Sequence, residues 1–119
     1  MFFLLGYCNT GVNTNSFANT TWNTDRELCG DLIVHSGSLT ISACVTMPLN
    51  SKIEVRSGAS LIFSGSNVNI ANANLVCKDG SFTEIKNGAI LKKNSFDQII
   101  LEDGAKLEYR FGDIVDLTQ

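Results

Sequence analysis

The sequence predicts an all-β chain folded as a right-handed parallel β-helix, a β-solenoid of about four three-strand coils. Three observations predict it. Four segments repeat one pattern: Leu32-Ile-Val-His-Ser-Gly37, Ile53-Glu-Val-Arg-Ser-Gly58, Leu75-Val-Cys-Lys-Asp-Gly80 and Ile99-Ile-Leu-Glu-Asp-Gly104. Their glycines lie 21, 22 and 24 residues apart, and self-similarity at such a period marks a solenoid. Within the repeats apolar and polar residues alternate, as in Ile53-Glu54-Val55-Arg56 and Asn67-Val68-Asn69-Ile70, while no stretch carries helical periodicity. Ten glycines, one proline (Pro48) and abundant Asn, Ser and Thr suit a chain with many turns.

Charge divides the chain into residues 1–24, an uncharged N-terminal segment, and residues 25–119, the β-helix domain; every Asp, Glu, Lys, Arg and His lies from Asp25 onward. Met1–Cys8 is apolar but far shorter than the roughly 20 residues of a membrane span. It reads either as a strand that packs on something or as the remnant of a leader, although it lacks the basic start and small-x-small cleavage site of a secretory signal. Residues 9–24 read either as a flexible leader or as an extended strand or cap anchored by Phe17 and Trp22. Asn/Thr-rich segments of this kind stack well because their amides form ladders.

From Asp31 onward each period breaks into three strands. The first recurs at Leu32–Val34, Ile53–Val55, Leu75–Cys77 and Ile99–Leu101 and ends in a glycine turn, where positive φ is expected. The second recurs at Leu39–Ile41, Leu61–Phe63, Phe82–Ile85 and Leu107–Tyr109. The third recurs at Val45–Met47, Val68–Ile70, Ile90–Lys92 and Ile114–Leu117. Stacked coils then align three core columns about 4.8 Å apart per step: Leu32, Ile53, Leu75, Ile99; Val34, Val55, Cys77, Leu101; and Val45, Val68, Ile90, Ile114. Parallel crossovers are overwhelmingly right-handed, hence the expected hand. Outside the core the same register stacks His35, Arg56, Lys78 and Glu102, and places Lys92 beside Asp116.

Asp31-Leu-Ile-Val-His-Ser-Gly-Ser-Leu-Thr-Ile41, followed by Met47-Pro48 and Ile53-Glu-Val-Arg-Ser-Gly-Ala-Ser-Leu-Ile62, resembles the parallel β-helix repeats of large secreted bacterial surface proteins. The resemblance covers about residues 22–109 and is more specific for fold than for activity. Such proteins carry many more coils and further domains, so this chain reads as a fragment, a capped mini-solenoid or a self-assembling subunit.

A net charge of −3 and the lack of a basic stripe argue against nucleic acid as a partner. Cys8, Cys29, Cys44 and Cys77 form no CxxC pair, which argues against a zinc site. An even count in a secreted chain permits disulfides, with Cys29 and Cys44 the candidate pair and Cys77 a buried thiol. Asp79 and Asp103 sit at equivalent turns, and two stacked carboxylates suggest calcium; a solvated acidic turn is the simpler reading. The lone His35 faces outward beside a turn, and no Ser-His-Asp or Cys-His set can be assembled around it. No cofactor and no catalytic residue is expected.

The functional expectation is a non-enzymatic structural module at the cell surface or outside the cell: a fibre or filament subunit, or part of an adhesin, that polymerises head to tail through its ends. A solenoid exposes unpaired strand edges at both ends, and a contact that does not close on itself generates a filament. The candidate contact residues are Phe2, Phe3, Leu4, Leu5, Tyr7, Phe17 and Trp22 on one side, and Ile114, Val115 and Leu117 on the other. The alternative is a carbohydrate-binding or carbohydrate-processing β-helix fragment, with a cell-surface glycan as ligand and Tyr109, Phe111 and Trp22 as the aromatic candidates.

Overall fold

The computed structural model describes residues 14–28, 30–71, 73–95 and 98–116. These form a parallel β-solenoid of about four turns, and every strand pairing among them is parallel. Thirteen strands follow in order: β1 Thr14–Trp22, β2 Arg26–Glu27, β3 Leu32–Ile41, β4 Val45–Thr46, β5 Ser51–Val55, β6 Ser60–Ser64, β7 Asn67–Asn69, β8 Ala73–Cys77, β9 Phe82–Lys86, β10 Ile90–Lys93, β11 Ile99–Leu101, β12 Lys106–Glu108 and β13 Asp113–Asp116. No helix among the described residues is long and apolar enough to cross a membrane.

Two sheets carry the three faces. One runs β11-β8-β5-β3-β6-β9-β12, with β1 also on β3; the other runs β13-β10-β7-β4-β2. The first two faces merge because the first glycine corner is one residue shorter than the others. Val34 pairs Val55 while Ser38 already pairs Ser60, so β3 runs across its corner as a continuous strand. In the later coils the chain breaks at Gly58 and Gly80, whose φ values of 80° and 82° suit glycine far better than an L side chain. These corners stack through backbone bonds, Gly58 N–H donating to Gly80 O at 3.2 Å and Gly80 N–H to Gly104 O at 3.1 Å.

The first two core columns have the expected register. Leu32, Ile53, Leu75 and Ile99 pair in sequence, as do Val34, Val55, Cys77 and Leu101. The third column departs from expectation at Ile90. Val68 pairs Leu91, which pairs Ile114, while Ile90 pairs Asn67 and Asp113 on the outer side. The corner Lys86–Ile90 carries one residue more than Ser64–Asn67, with Asn87 and Gly88 both at positive φ, and this moves the inward position from Ile90 to Leu91. The same shift corrects the Lys92–Asp116 pairing: Lys92 pairs Val115, and Lys93 pairs Asp116.

A continuous apolar core fills the interior from Trp22 and Leu28 to Leu91. Its buried polar members include Thr83, whose hydroxyl lies 3.5 Å from Cys77 Sγ, and Lys93. Thr14–Trp22 lies against β3 with a register irregularity between Phe17 and Thr20, where Asn19 has φ 57° and its Oδ1 accepts a hydrogen bond from Ser38 Oγ.

Candidate functional site

Two regions carry exposed chemistry: the charged corner beside the first glycine turns, and the last coil. The corner is built by stacked backbone bonds. Arg56 N–H donates to Val34 O, Lys78 N–H to Val55 O and Glu102 N–H to Cys77 O, at 2.9–3.0 Å. His35, Arg56, Lys78 and Glu102 therefore follow one another along the solenoid. With Glu54 and Ser57 they line an open hollow of about 420 Å³.

Its charges are compensated within the hollow. Glu54 is nearly buried between Lys52 Nζ at 2.8 Å and Arg56 Nε at 2.7 Å. The hydrogen bond from Lys52, helped by that from Arg56, holds the Glu54 carboxyl below the usual range against the opposing effect of burial, and the same contact raises Lys52. Glu102 accepts from Asp79 N–H at 2.9 Å and from Lys78 Nζ at 3.1 Å; the backbone bond first and the lysine second lower its pKa. A general acid needs a carboxyl raised toward neutrality, and both glutamates are shifted the other way.

Asp79, Glu102 and Asp103 line a neighbouring hollow of about 390 Å³, and the two oxygens of Glu102 are engaged by Lys78 and the Asp79 backbone. Among the described residues no group of three or more His, Cys, Asp or Glu side chains is placed to hold a metal ion. Cys77 is enclosed, and burial pushes its thiol up against the smaller opposing effect of Thr83. Cys44 carries a free, exposed thiol, and Cys29, its partner in the candidate pair, lies outside the described residues.

The last coil is chemically different. β11, β12 and β13 each pair on one side only among the described strands. Residues of core type are uncovered there: Leu101, at the foot of the Val34–Val55–Cys77 column, is 48% exposed, and Ile99, Leu107 and Ile114 are only partly buried. Tyr109 and Phe111 are 51% and 66% exposed, and the Arg110 guanidinium lies 5.7 Å from the Phe111 ring centre. Leu107, Tyr109, Arg110, Gly112 and Asp113 line a hollow of about 400 Å³.

At the other end the third face begins with β2. Arg26 pairs Val45 and so stands in the inward column Val45–Val68–Leu91–Ile114. Its guanidinium carbon lies 4.3 Å from the Trp22 ring centre, and its Nε is buried without a hydrogen-bond partner among the described residues.

The chain matches no protein-family model, no curated protein and no solved structure. The placement of the expected contact residues is therefore read from the fold alone. Phe2, Phe3, Leu4, Leu5, Tyr7 and Leu117 lie outside the described residues. Phe17 stands in β1 opposite Gly37. Trp22 belongs to the buried core, so its ring is no open platform for a sugar. Ile114 and Val115 are partly buried on β13. The inward placement of Arg26 and Lys93 was missed from sequence. Its signal is the alignment of Arg26-Glu-Leu28 with Val45-Thr-Met47, one coil later in the same alternation.

Proposed function

We propose that this chain is a non-enzymatic structural module that assembles end to end, its last coil accepting the first coil of a second copy. The observation that carries this reading is the uncovered last coil, with Leu101 about half exposed at the foot of an otherwise buried column. A parallel strand edge next to exposed apolar residues is a template for another strand, and a head-to-tail contact between identical units propagates. Residues 14–24 bring no charge to such a contact. The compensated, low-pKa carboxylates of the corner hollow favour a structural role for those charges over a catalytic one.

The wider reading places the module outside the cell, as a fibre subunit or a part of a surface adhesin, because its repeats resemble those of secreted bacterial surface proteins. Negative-stain electron microscopy tests the assembly directly. Filaments or short stacks from the full chain that disappear when residues 1–24 are removed support it; uniform single particles from both at high concentration overturn it. The exposed Tyr109–Arg110–Phe111 run favours a second reading, glycan binding at the same end, since aromatic faces and adjacent charged groups suit sugar rings. Glycan-array binding that Tyr109→Ala abolishes, by a chain that stays single, would favour that alternative.

A further inference from the structure

We propose that Asn19 is a modification site, its side-chain nitrogen Nδ2 being the acceptor of an N-linked oligosaccharide added as the chain is exported. This goes beyond the assembly reading above and rests only on the part of it that places the chain outside the cell.

Asn19-Thr20-Thr21 is the one Asn-x-Ser/Thr triplet of the chain, and its middle residue is not proline. Such triplets are the acceptors of N-linked glycans on the surface of exported proteins. The surrounding segment is rich in asparagine, yet Asn9, Asn13, Asn15 and Asn23 carry their hydroxyl residue one position on rather than two. The spacing therefore singles out Asn19.

The fold presents this triplet to solvent. Phe17 pairs Gly37 and Thr20 pairs Leu39, so Ala18 and Asn19 stand opposite Ser38 alone, the count of a β-bulge. Asn19 has φ 57° there, a left-handed conformation that asparagine adopts more readily than most residues with a side chain. Ser38 alternates with buried Leu39, which puts its hydroxyl on the outer wall, where it donates to Asn19 Oδ1 at 2.8 Å. That bond holds the amide by its oxygen and leaves Nδ2 without a hydrogen-bond partner among the described residues. Thr21 pairs Thr40, and both Asn19 and Thr21 are exposed while the adjoining Trp22 is buried. Acceptor nitrogen and required hydroxyl thus stand outside the core together.

The co-reactant is an oligosaccharide carried as a lipid diphosphate in the membrane of export. Nδ2 bonds to the anomeric carbon, and the bond from that carbon to the diphosphate oxygen breaks. The lipid diphosphate leaves and one amide proton passes to a base; nothing is oxidised or reduced. The glycan then stands on the outer wall of the first coil. Leu101, Tyr109 and Phe111 lie exposed on the last coil, so that edge stays open to a second copy.

Translation of the full chain behind a cleavable export signal, with endoplasmic-reticulum microsomes, tests the assignment. Asn19→Gln, Thr21→Ala and Thr21→Ser are run beside it, and only chain protected from added protease is counted. The expected result is one glycan on the unaltered chain and on Thr21→Ser, removed by peptide-N-glycosidase with conversion of Asn19 to Asp. It should be lost in Asn19→Gln and Thr21→Ala. Imported chain without a glycan, or a glycan that persists in Asn19→Gln, overturns the proposal. Thr21→Ala keeps the test decisive if Asn19→Gln disturbs the bulge, because it leaves Asn19 in place. The signal enforces import, so location is read separately, from the chain in its source cells. Chain found outside them without a glycan overturns the Asn19 assignment and leaves the location standing. Chain retained inside them overturns the location, while a glycan gained in microsomes still supports Asn19 as the acceptor.

Discussion

Lys93 takes the place on its inward column that Ile70 holds one coil earlier, and it is almost as enclosed, 1% exposed against 0%. A lysine reaches such a position only if its four-carbon stem packs as an apolar group and its ammonium keeps a partner; Lys93 is not without one. The neighbouring Lys92 faces outward and is partly exposed. Two adjacent lysines thus have opposite roles, set by the one-residue-longer corner at Lys86–Ile90.

Alanine substitution should separate them. Lys93→Ala removes a buried stem and leaves a void, and is expected to cost about 2–4 kcal/mol. Lys92→Ala should fall within about 0.5 kcal/mol of the parent. Urea unfolding of both variants measures the difference. Equal effects, or a reversed order, would return the inward position to Ile90 and Lys92.

The corner glycines should differ in a graded way. A Cβ on Gly112 would stand 2.4 Å from Ile85 Cγ2 and 2.8 Å from the Ile85 carbonyl carbon and oxygen, so backbone must move. One on Gly58 would meet nothing within 4 Å, and only the positive φ resists it. Gly112→Ala is therefore expected to cost about 2–3 kcal/mol, as overpacking does, and Gly58→Ala about 1–2 kcal/mol, as a left-handed L residue does. Thermal unfolding gives the order directly.

The Lys52–Glu54–Arg56 cluster should make stability pH-dependent at both extremes. Because the folded state lowers the Glu54 pKa, its contribution is fully present above the ordinary glutamate value of about 4.3. It is lost as pH falls through the lower folded value. Because Lys52 is raised, its contribution is present below the ordinary lysine value of about 10.4 and is lost as pH rises through the folded value. The two cations are partly exposed, so the stabilisation is modest, about 1 kcal/mol. Glu54→Gln should lower stability near neutral pH by about that amount and flatten both limbs. A melting-temperature profile from about pH 3 to pH 11, steep for the parent and unchanged in shape by the substitution, would contradict this.

The fold was legible in the sequence because its signals are local and repeated. Alternation in Ile53–Val55 and Leu75–Cys77, punctuated by Gly58 and Gly80, specifies strand, corner and inward face together. The third column was read wrongly at Ile90 because an Asn87-Gly88 corner can hold one residue more than Gly65-Ser66 without disturbing either flanking pattern, and register is then set by pairing across coils. Arg26 and Lys93 were hidden for a related reason: a charged residue breaks the apolar rhythm by which inward positions are recognised. The ion pair of Lys78 with Glu102 was visible as a column. The near-burial of Glu54 depends on its own neighbours Lys52 and Arg56 folding over it, which spacing alone does not specify.

The two described thiols should report the closed core. Cys44 is exposed on the corner between β3 and β4, whereas Cys77 is enclosed beside Thr83 with its pKa raised by burial. Thiolate is the reactive form, so Cys77 is disfavoured twice, by access and by ionisation. Alkylation with iodoacetamide near neutral pH, followed by peptide mapping, should label Cys44 promptly. Cys77 should be labelled only through opening of the coils, slower by about a thousandfold or more when opening costs about 4 kcal/mol. Adding urea through the unfolding transition should bring the two rates together. Prompt labelling of Cys77 in the native chain would mean that the column Val34–Val55–Cys77–Leu101 is open at its foot as far up as Cys77, and that the uncovered last coil does not protect the layer above it.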